Sequence, residues 1–246
     1  MIIHDVFDHY AAAIAALPRH SPLSKVDLLT PTFLLHHDAL LDLYFAPFEY
    51  VNVHAKVALV GITPGWYQTE LAFRVARDAL RRGVCIAEAS ALARQAASFS
   101  GPIRSTLVGM LDTIGVHTAL GIDSCWALWA ARQDLLHTTA LVRYPLFVGG
   151  QNYTGYKPNP LKTPLVRHYL TEVLADELRR TPQALIVPLG RSVNESMQYL
   201  AREGLLDPAR LLPGLPHPSG ANAHRHAQFA AVREQASAAV QAWFGA

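Results

Sequence analysis

Cysteine and lysine are scarce in this chain: two cysteines and four lysines among 246 residues. Cys85 and Cys125 alone cannot build a four-thiolate zinc site or hold an iron–sulfur cluster, and two isolated thiols suit a reducing compartment. Charged residues make up only 16%, with no run of one sign and no low-complexity tract, so disorder is not expected. No apolar run approaches the roughly 20 residues needed to cross a bilayer. The opening, MIIHDVFDHY, lacks a basic segment followed by an apolar one, which argues against a secretory leader. Together these shortages predict a soluble, cytoplasmic protein with no metal, no cofactor and no membrane partner.

What is present is apolar. At 51% hydrophobic the chain can bury a full core, and its length fits one domain over residues 1–246 better than two. A net charge of +2 does not by itself announce a nucleic-acid partner. Arginine nevertheless outnumbers lysine 17 to 4, and Arg74, Arg77 and Arg81 recur at helical spacing. Guanidinium forks suit phosphate, and the same spacing also describes a solvated helix face.

Periodicity predicts the element order. DVFDHYAAAIAAL and TFLLHHDALLDLYF both carry apolar residues at i, i+3, i+4, which predicts a helical N-terminal extension over residues 1–50. KVALVGITPG reads as a buried strand stopped by a sharp turn. Helices are expected over 68–82, 86–98 and 101–115, the last with Pro102 near its start and Gly115 beyond its end. LLHTTALV (135–142) is a second strand. YPLFVGGQNYTGYKPNP (144–160) is a long loop of the kind that tends to be functional inside a compact domain. A helix over 164–180, a strand in ALIVPLG, a helix over 191–204, a fourth strand near 211–215 and a helix over 223–243 complete the chain. Alternating buried strands and helices predict an α/β, three-layer, doubly wound fold. Its short, mostly parallel four-stranded sheet is flanked by helices, with the N-terminal helices added. Ligands in such folds sit at the carboxyl ends of the strands, where GITPG and HPSGAN both fall.

VGITPGWYQ (60–68) and PHPSGANAHR (216–225), each after an apolar strand and in this order, resemble the uracil-DNA glycosylase superfamily over residues 56–244. That superfamily carries a strand ending in a Gly-x-x-Pro turn and, much later, a His-Pro-Ser turn that enters the minor groove beside a flipped nucleotide. The resemblance implies a monofunctional DNA glycosylase that leaves an abasic site, acting on single-stranded DNA or on a duplex with its base extruded. His217 is similar to the family histidine that hydrogen-bonds to O2 of the departing base, and Thr63 stands at the water-holding position. Gly61, Ile62, Pro64 and Gly65 would form the base-pocket loop, with Trp66, Tyr67 and Phe73 as candidate stacking rings. His137 or Thr138, depending on register, would read the base edge. Ser219, with the amides of Gly220 and Ala221, would grip a phosphate at the following helix N-terminus, and Asn222 and Arg225 would contact DNA. Ala221 and Asn222 occupy the wedge position, and their small size favours single-stranded or distorted DNA.

Three positions depart from the uracil-specific pattern. Thr63 replaces Asp or Asn, and a threonine hydroxyl is no general base near neutral pH. Gly65 replaces a tyrosine that crowds the base C5 position, and His137 or Thr138 replaces an asparagine. All three suit a modified pyrimidine, such as a bulky C5-substituted cytosine of the phage type, at least as readily as uracil. GGQNYTGYK (149–157) could line the space beyond C5. Base repair and anti-phage defence would use the same chemistry. A non-catalytic DNA-binding module, a nucleoside or nucleotide hydrolase, and a hydrolase using Ser219 or Thr63 as nucleophile are the rival readings; the last lacks a Gly-x-Ser-x-Gly elbow. His224 and His226, two apart on a helix, point to different faces, so no metal site is expected there.

Overall fold

The computed structural model describes residues 6–245. Asp5, where the first helix is expected to begin, and the rest of the opening five residues lie outside the described residues. In chain order the elements are α1 (Val6–Ala16), α2 (Lys25–Leu28), β1 (Leu34–His37), β2 (Leu41–Tyr44), β3 (Val57–Gly61), α3 (Trp66–Arg81) and α4 (Ile86–Ala97). Then come α5 (Pro102–Thr113), α6 (Val116–Ala119), β4 (Leu136–Ala140), β5 (Leu146–Val148) and β6 (Gln151–Asn152). A π-helical turn, Tyr169–Leu174, joins α7 (Pro164–His168) to α8 (Ala175–Arg179), and β7 (Leu185–Pro188), α9 (Arg191–Arg202) and α10 (Arg225–Phe244) follow. Short 3₁₀ turns link several of these.

This is an α/β protein with a small parallel sheet and a separate antiparallel sheet. The parallel sheet has three strands in the order β4-β3-β7. At the place of the expected fourth strand the chain makes only two isolated parallel bridges, Leu211 to Ile186 and Leu215 to Leu189. Every residue of β3 is buried, which is why VALVG is continuously apolar rather than alternating. Val57 and Leu59 face Leu107 and Leu111 of α5 and Val240 of α10. Ala58 and Val60 face Leu170, Leu174 and Leu178, together with Val193 and Met197 of α9. Helices therefore cover both faces of this sheet.

The helical expectation for TFLLHHDALLDLYF is corrected. The segment is the β1–β2 hairpin, turned at Asp38, whose Oδ1 accepts from the amides of Leu40 (2.7 Å) and Leu41 (2.8 Å). Leu41 and Leu43 are buried while Asp42 and Tyr44 are only half-buried, a period of two that a leucine-rich window disguises. The decisive partner is remote: β2 pairs antiparallel with β5, so the expected loop 144–160 contains the β5–β6 hairpin.

Within residues 6–50, α1 also packs into the core. Phe7, Tyr10 and Ile14 of α1 sit in one buried cluster with Phe33, Phe45 and Phe73. The Tyr10 and Phe45 rings stack at 4.2 Å. The arginine stripe helps to hold this end, each of its three side chains meeting protein partners. Arg74 Nε pairs with Glu70 at 2.8 Å, and Glu70 accepts from the Leu23 amide at 3.0 Å. Arg77, 2% exposed, donates to the carbonyls of Pro18 and His20. Arg81 donates to the carbonyls of Ala15 (2.8 Å) and Leu17 (2.6 Å) at the end of α1, whose terminal acceptors need such donors.

Candidate functional site

The carboxyl ends of β3, β4 and β7 open into one cavity of about 1090 Å³. That is at or above the upper end of small-molecule sites, roughly 300–1,000 Å³. Residues 61–65 form one wall and His217 another, so the two distant motifs share this space. Two helices start at its rim: Gly65 is the N-cap of α3 and Gly190 that of α9. Their free amides and dipoles favour negative charge there.

The 61–65 turn is tied down from outside. Thr63 Oγ1 donates to the Tyr144 carbonyl at 2.6 Å and accepts from the Leu146 amide at 3.2 Å. Its proton is therefore committed to the backbone, and one lone pair remains for a water. Gly65 has an ordinary φ of −76°. The position is already tight: a Cβ there would stand 2.8 Å from Gln68 Oε1, the far end of a flexible side chain, and 3.5 Å from Asn152 Nδ2.

His217 is positioned by its own loop. The Ser219 amide donates to Nδ1 at 3.3 Å, and Asn222 Nδ2 holds the His217 carbonyl at 3.2 Å. Burial lowers the imidazole's pKa, which keeps it neutral near pH 7. With Nδ1 accepting, the proton sits on Nε2, which leaves an N–H donor.

The phosphate clamp is corrected in part. Ser219 Oγ accepts from the Ala221 amide at 3.1 Å, but α10 begins only at Arg225, so the turn is separated from the helix N-terminus. Ser219, Ala221 and Asn222 line the cavity, whereas Gly220 and Arg225 do not. Arg225 instead donates to the Asn222 carbonyl at 3.3 Å.

The three candidate stacking rings lie elsewhere. Phe73 is 1% exposed in the core, packed edge-on against Phe33. Trp66 lies under the Lys25 ammonium at 5.8 Å, and Tyr67 is 55% exposed. None of them lines the cavity; its aromatic lining is Phe48, Phe99, Tyr153 and Tyr156. On β4, Thr138 reaches the cavity and shares a 2.6 Å hydrogen bond with Ser98, whereas His137 does not reach it. His137 Nε2 instead stands 2.8 Å from Glu177 Oε1 in the interior.

No protein-family model matches the chain. It is 38% identical over 228 residues to the uncharacterized protein YoxB of Bacillus subtilis (strain 168), across 92% of this chain and 88% of YoxB. The chain belongs to the YoxB family.

The lining residues that escaped the sequence reading include two buried arginines. Arg143, just beyond β4, and Arg94 of α4 border the cavity with side chains 1% and 5% exposed. Glu177 of α8 meets both, at 2.9 Å from Arg143 Nη2 and 3.1 Å from Arg94 Nη1. Burial would raise the Glu177 pKa; the two guanidiniums and His137 outweigh it and hold the carboxyl well below its usual range. Nothing local in a lone buried arginine marks it, since only the fold brings residues 94, 143 and 177 together. Among the described residues no group of three or more His, Cys, Asp or Glu side chains could hold a metal ion, and no helix is long and apolar enough to cross a membrane.

Proposed function

We propose that the protein is a monofunctional DNA glycosylase of the uracil-DNA glycosylase superfamily, acting on a pyrimidine extruded into the cavity between residues 61–65 and His217. The observation that carries the reading is that two motifs 154 positions apart, at Thr63 and His217, line the same cavity. In this reading β4, β3 and β7, continued by the bridges at Leu211 and Leu215, are the short core of a doubly wound sheet.

The chemistry follows from the side chains. Breaking the C1′–N1 bond leaves positive charge on the sugar and negative charge on the base, including O2. The neutral His217, with its proton on Nε2, donates to that oxygen as charge grows. A fixed donor of this kind contributes about 3–4 kcal/mol. Thr63 holds the turn and offers its remaining lone pair to a water, whose oxygen bonds to C1′ as the C1′–N1 bond breaks and whose proton ends on the departing base. Catalysis then rests on stabilising the leaving base rather than on a strong general base. Gly65 carries no side chain beside Asn152, so a C5 substituent fits there once the flexible Gln68 side chain swings aside. A modified, phage-type cytosine is accordingly a candidate substrate beside uracil, and defence against foreign DNA a candidate role.

Oligonucleotides carrying uracil, a thymine mismatch, hydroxymethylcytosine or glucosylated cytosine test this, with alkali-labile strand breaks as readout. Cleavage at one of them is the expected result. A second reading, a non-catalytic DNA-binding module, is favoured by the committed Thr63 hydroxyl. It predicts binding with no alkali-labile site on any substrate.

A further inference from the structure

Gln68, in the first turn of α3, holds its side-chain amide in one orientation. Nε2 donates to the Ser100 carbonyl at 3.3 Å. Turned over, the amide would set its oxygen against that carbonyl oxygen, so the bond keeps Oε1 directed away from it. Among the described residues nothing donates to Oε1. It is not one of the buried polar atoms left without a partner, so it is open to solvent.

That open oxygen borders the bare Cα of Gly65: a Cβ there would meet Oε1 first, at 2.8 Å, and Asn152 Nδ2 next, at 3.5 Å. Gly65, Gln68 and Asn152 all line the cavity. Asn152 is exposed, and among the described residues no hydrogen bond holds its side-chain amide. It can turn to meet a donor or an acceptor, so it follows a ligand rather than selecting one. Gln68 is the fixed member of the pair, and it presents an acceptor.

A group placed against Oε1 must therefore bring a hydrogen. On a pyrimidine whose C5 lies toward Gly65, the neighbouring exocyclic group on C4 faces Gln68. In cytosine that group is an amine, with one N–H on the C5 side. In uracil it is a carbonyl oxygen, which would meet Oε1 with no proton between the two acceptors. Thr138 of β4, expected to read this edge, already shares its hydroxyl with Ser98.

We propose that Gln68 is a specificity-determining residue whose Oε1 accepts from the 4-amino group of a cytosine-type base and disfavours uracil. The placement of the base rests on the glycosylase reading; the demand for a donor at Oε1 does not.

Calorimetric titration with free cytosine and free uracil tests this without any cleavage step. Bases with no C5 substituent are the probes, because such a substituent moves Gln68 aside. The wild-type protein should bind cytosine at least about tenfold more tightly than uracil. Gln68→Leu removes the acceptor and should abolish that preference, as should Gln68→Ala if the leucine variant does not fold. Equal binding of the two bases, tighter binding of uracil, or binding of neither by the wild type overturns the inference whether or not the variants fold. A cytosine preference that survives loss of the Gln68 amide overturns it as well. Cytosine preference that depends on Gln68, without release of any base from DNA, would uphold this role and refute the glycosylase reading. Base release from DNA with no such preference would do the reverse.

Discussion

A methyl group on Gly190 would stand 3.2 Å from Cβ of His217, so the turn between β7 and α9 is the surface against which the candidate catalytic imidazole is pressed. Gly190 also holds φ at +99°, a region that side-chain-bearing residues rarely adopt. Gly190→Ala therefore meets both strain and a close neighbour. Thermal or urea unfolding should register a loss of about 1–3 kcal/mol. In the fraction that folds, displacement of His217 should lower base release by about 10- to 100-fold. Unchanged stability and turnover would show that the contact does not position the histidine.

Thr63 separates a structural role from a chemical one. Thr63→Val leaves the Tyr144 carbonyl and the Leu146 amide without their side-chain partner, which should cost about 1–3 kcal/mol. Thr63→Ser keeps both bonds and should restore stability and activity together. Activity lost in Thr63→Ser at full stability would contradict the assignment of Thr63 chiefly to holding the turn.

How far the sequence disclosed this arrangement depended on how local each signal was. VALVG announced β3 because a strand buried on both faces is continuously apolar. GITPG and HPSGAN were legible because glycine and proline fix turns wherever they fall. The β1–β2 hairpin was not, since its alternation is short and its stability comes from pairing with β5, about a hundred residues away. Phe73 looked like a stacking ring because aromatic residues near a motif carry no label for the face they occupy. Arg94 and Arg143 were invisible for the opposite reason: their significance is a meeting of three remote segments. The arginine stripe on α3 was seen, and its partners, the carbonyls ending α1, could not be.

The absence of a side chain at Gly65 predicts a selectivity change. Gly65→Ala fits the backbone but pushes Gln68 away from its contact and narrows the cavity near Asn152. Release of a C5-substituted base should fall relative to uracil by at least about tenfold, a typical consequence of one misplaced carbon in a tight pocket. Parallel time courses on the two substrates measure it, and an unchanged ratio would place the C5 substituent elsewhere.

His217 also predicts a pH dependence of stability. Its folded pKa lies below the ordinary 6.5 because burial disfavours the charged ring. Between those two values the unfolded chain binds more protons, so stability falls as pH drops below 6.5 and the deficit is complete below the folded value. A single such group sets a slope of at most about 1.4 kcal/mol per pH unit. Urea midpoints of the wild type and His217→Ala, compared between about pH 8 and pH 5, should converge toward acid as the wild type loses this advantage. Parallel curves would mean that the ring is not desolvated.

The most direct measurement is mass-spectrometric detection of free base released from the modified oligonucleotides by the wild type and by His217→Ala, purified side by side with matched melting temperatures. The wild type should release a pyrimidine, and the variant should do so at a rate lower by about 10²-fold or more. No released base from any substrate, or equal release by both proteins, would contradict the glycosylase reading.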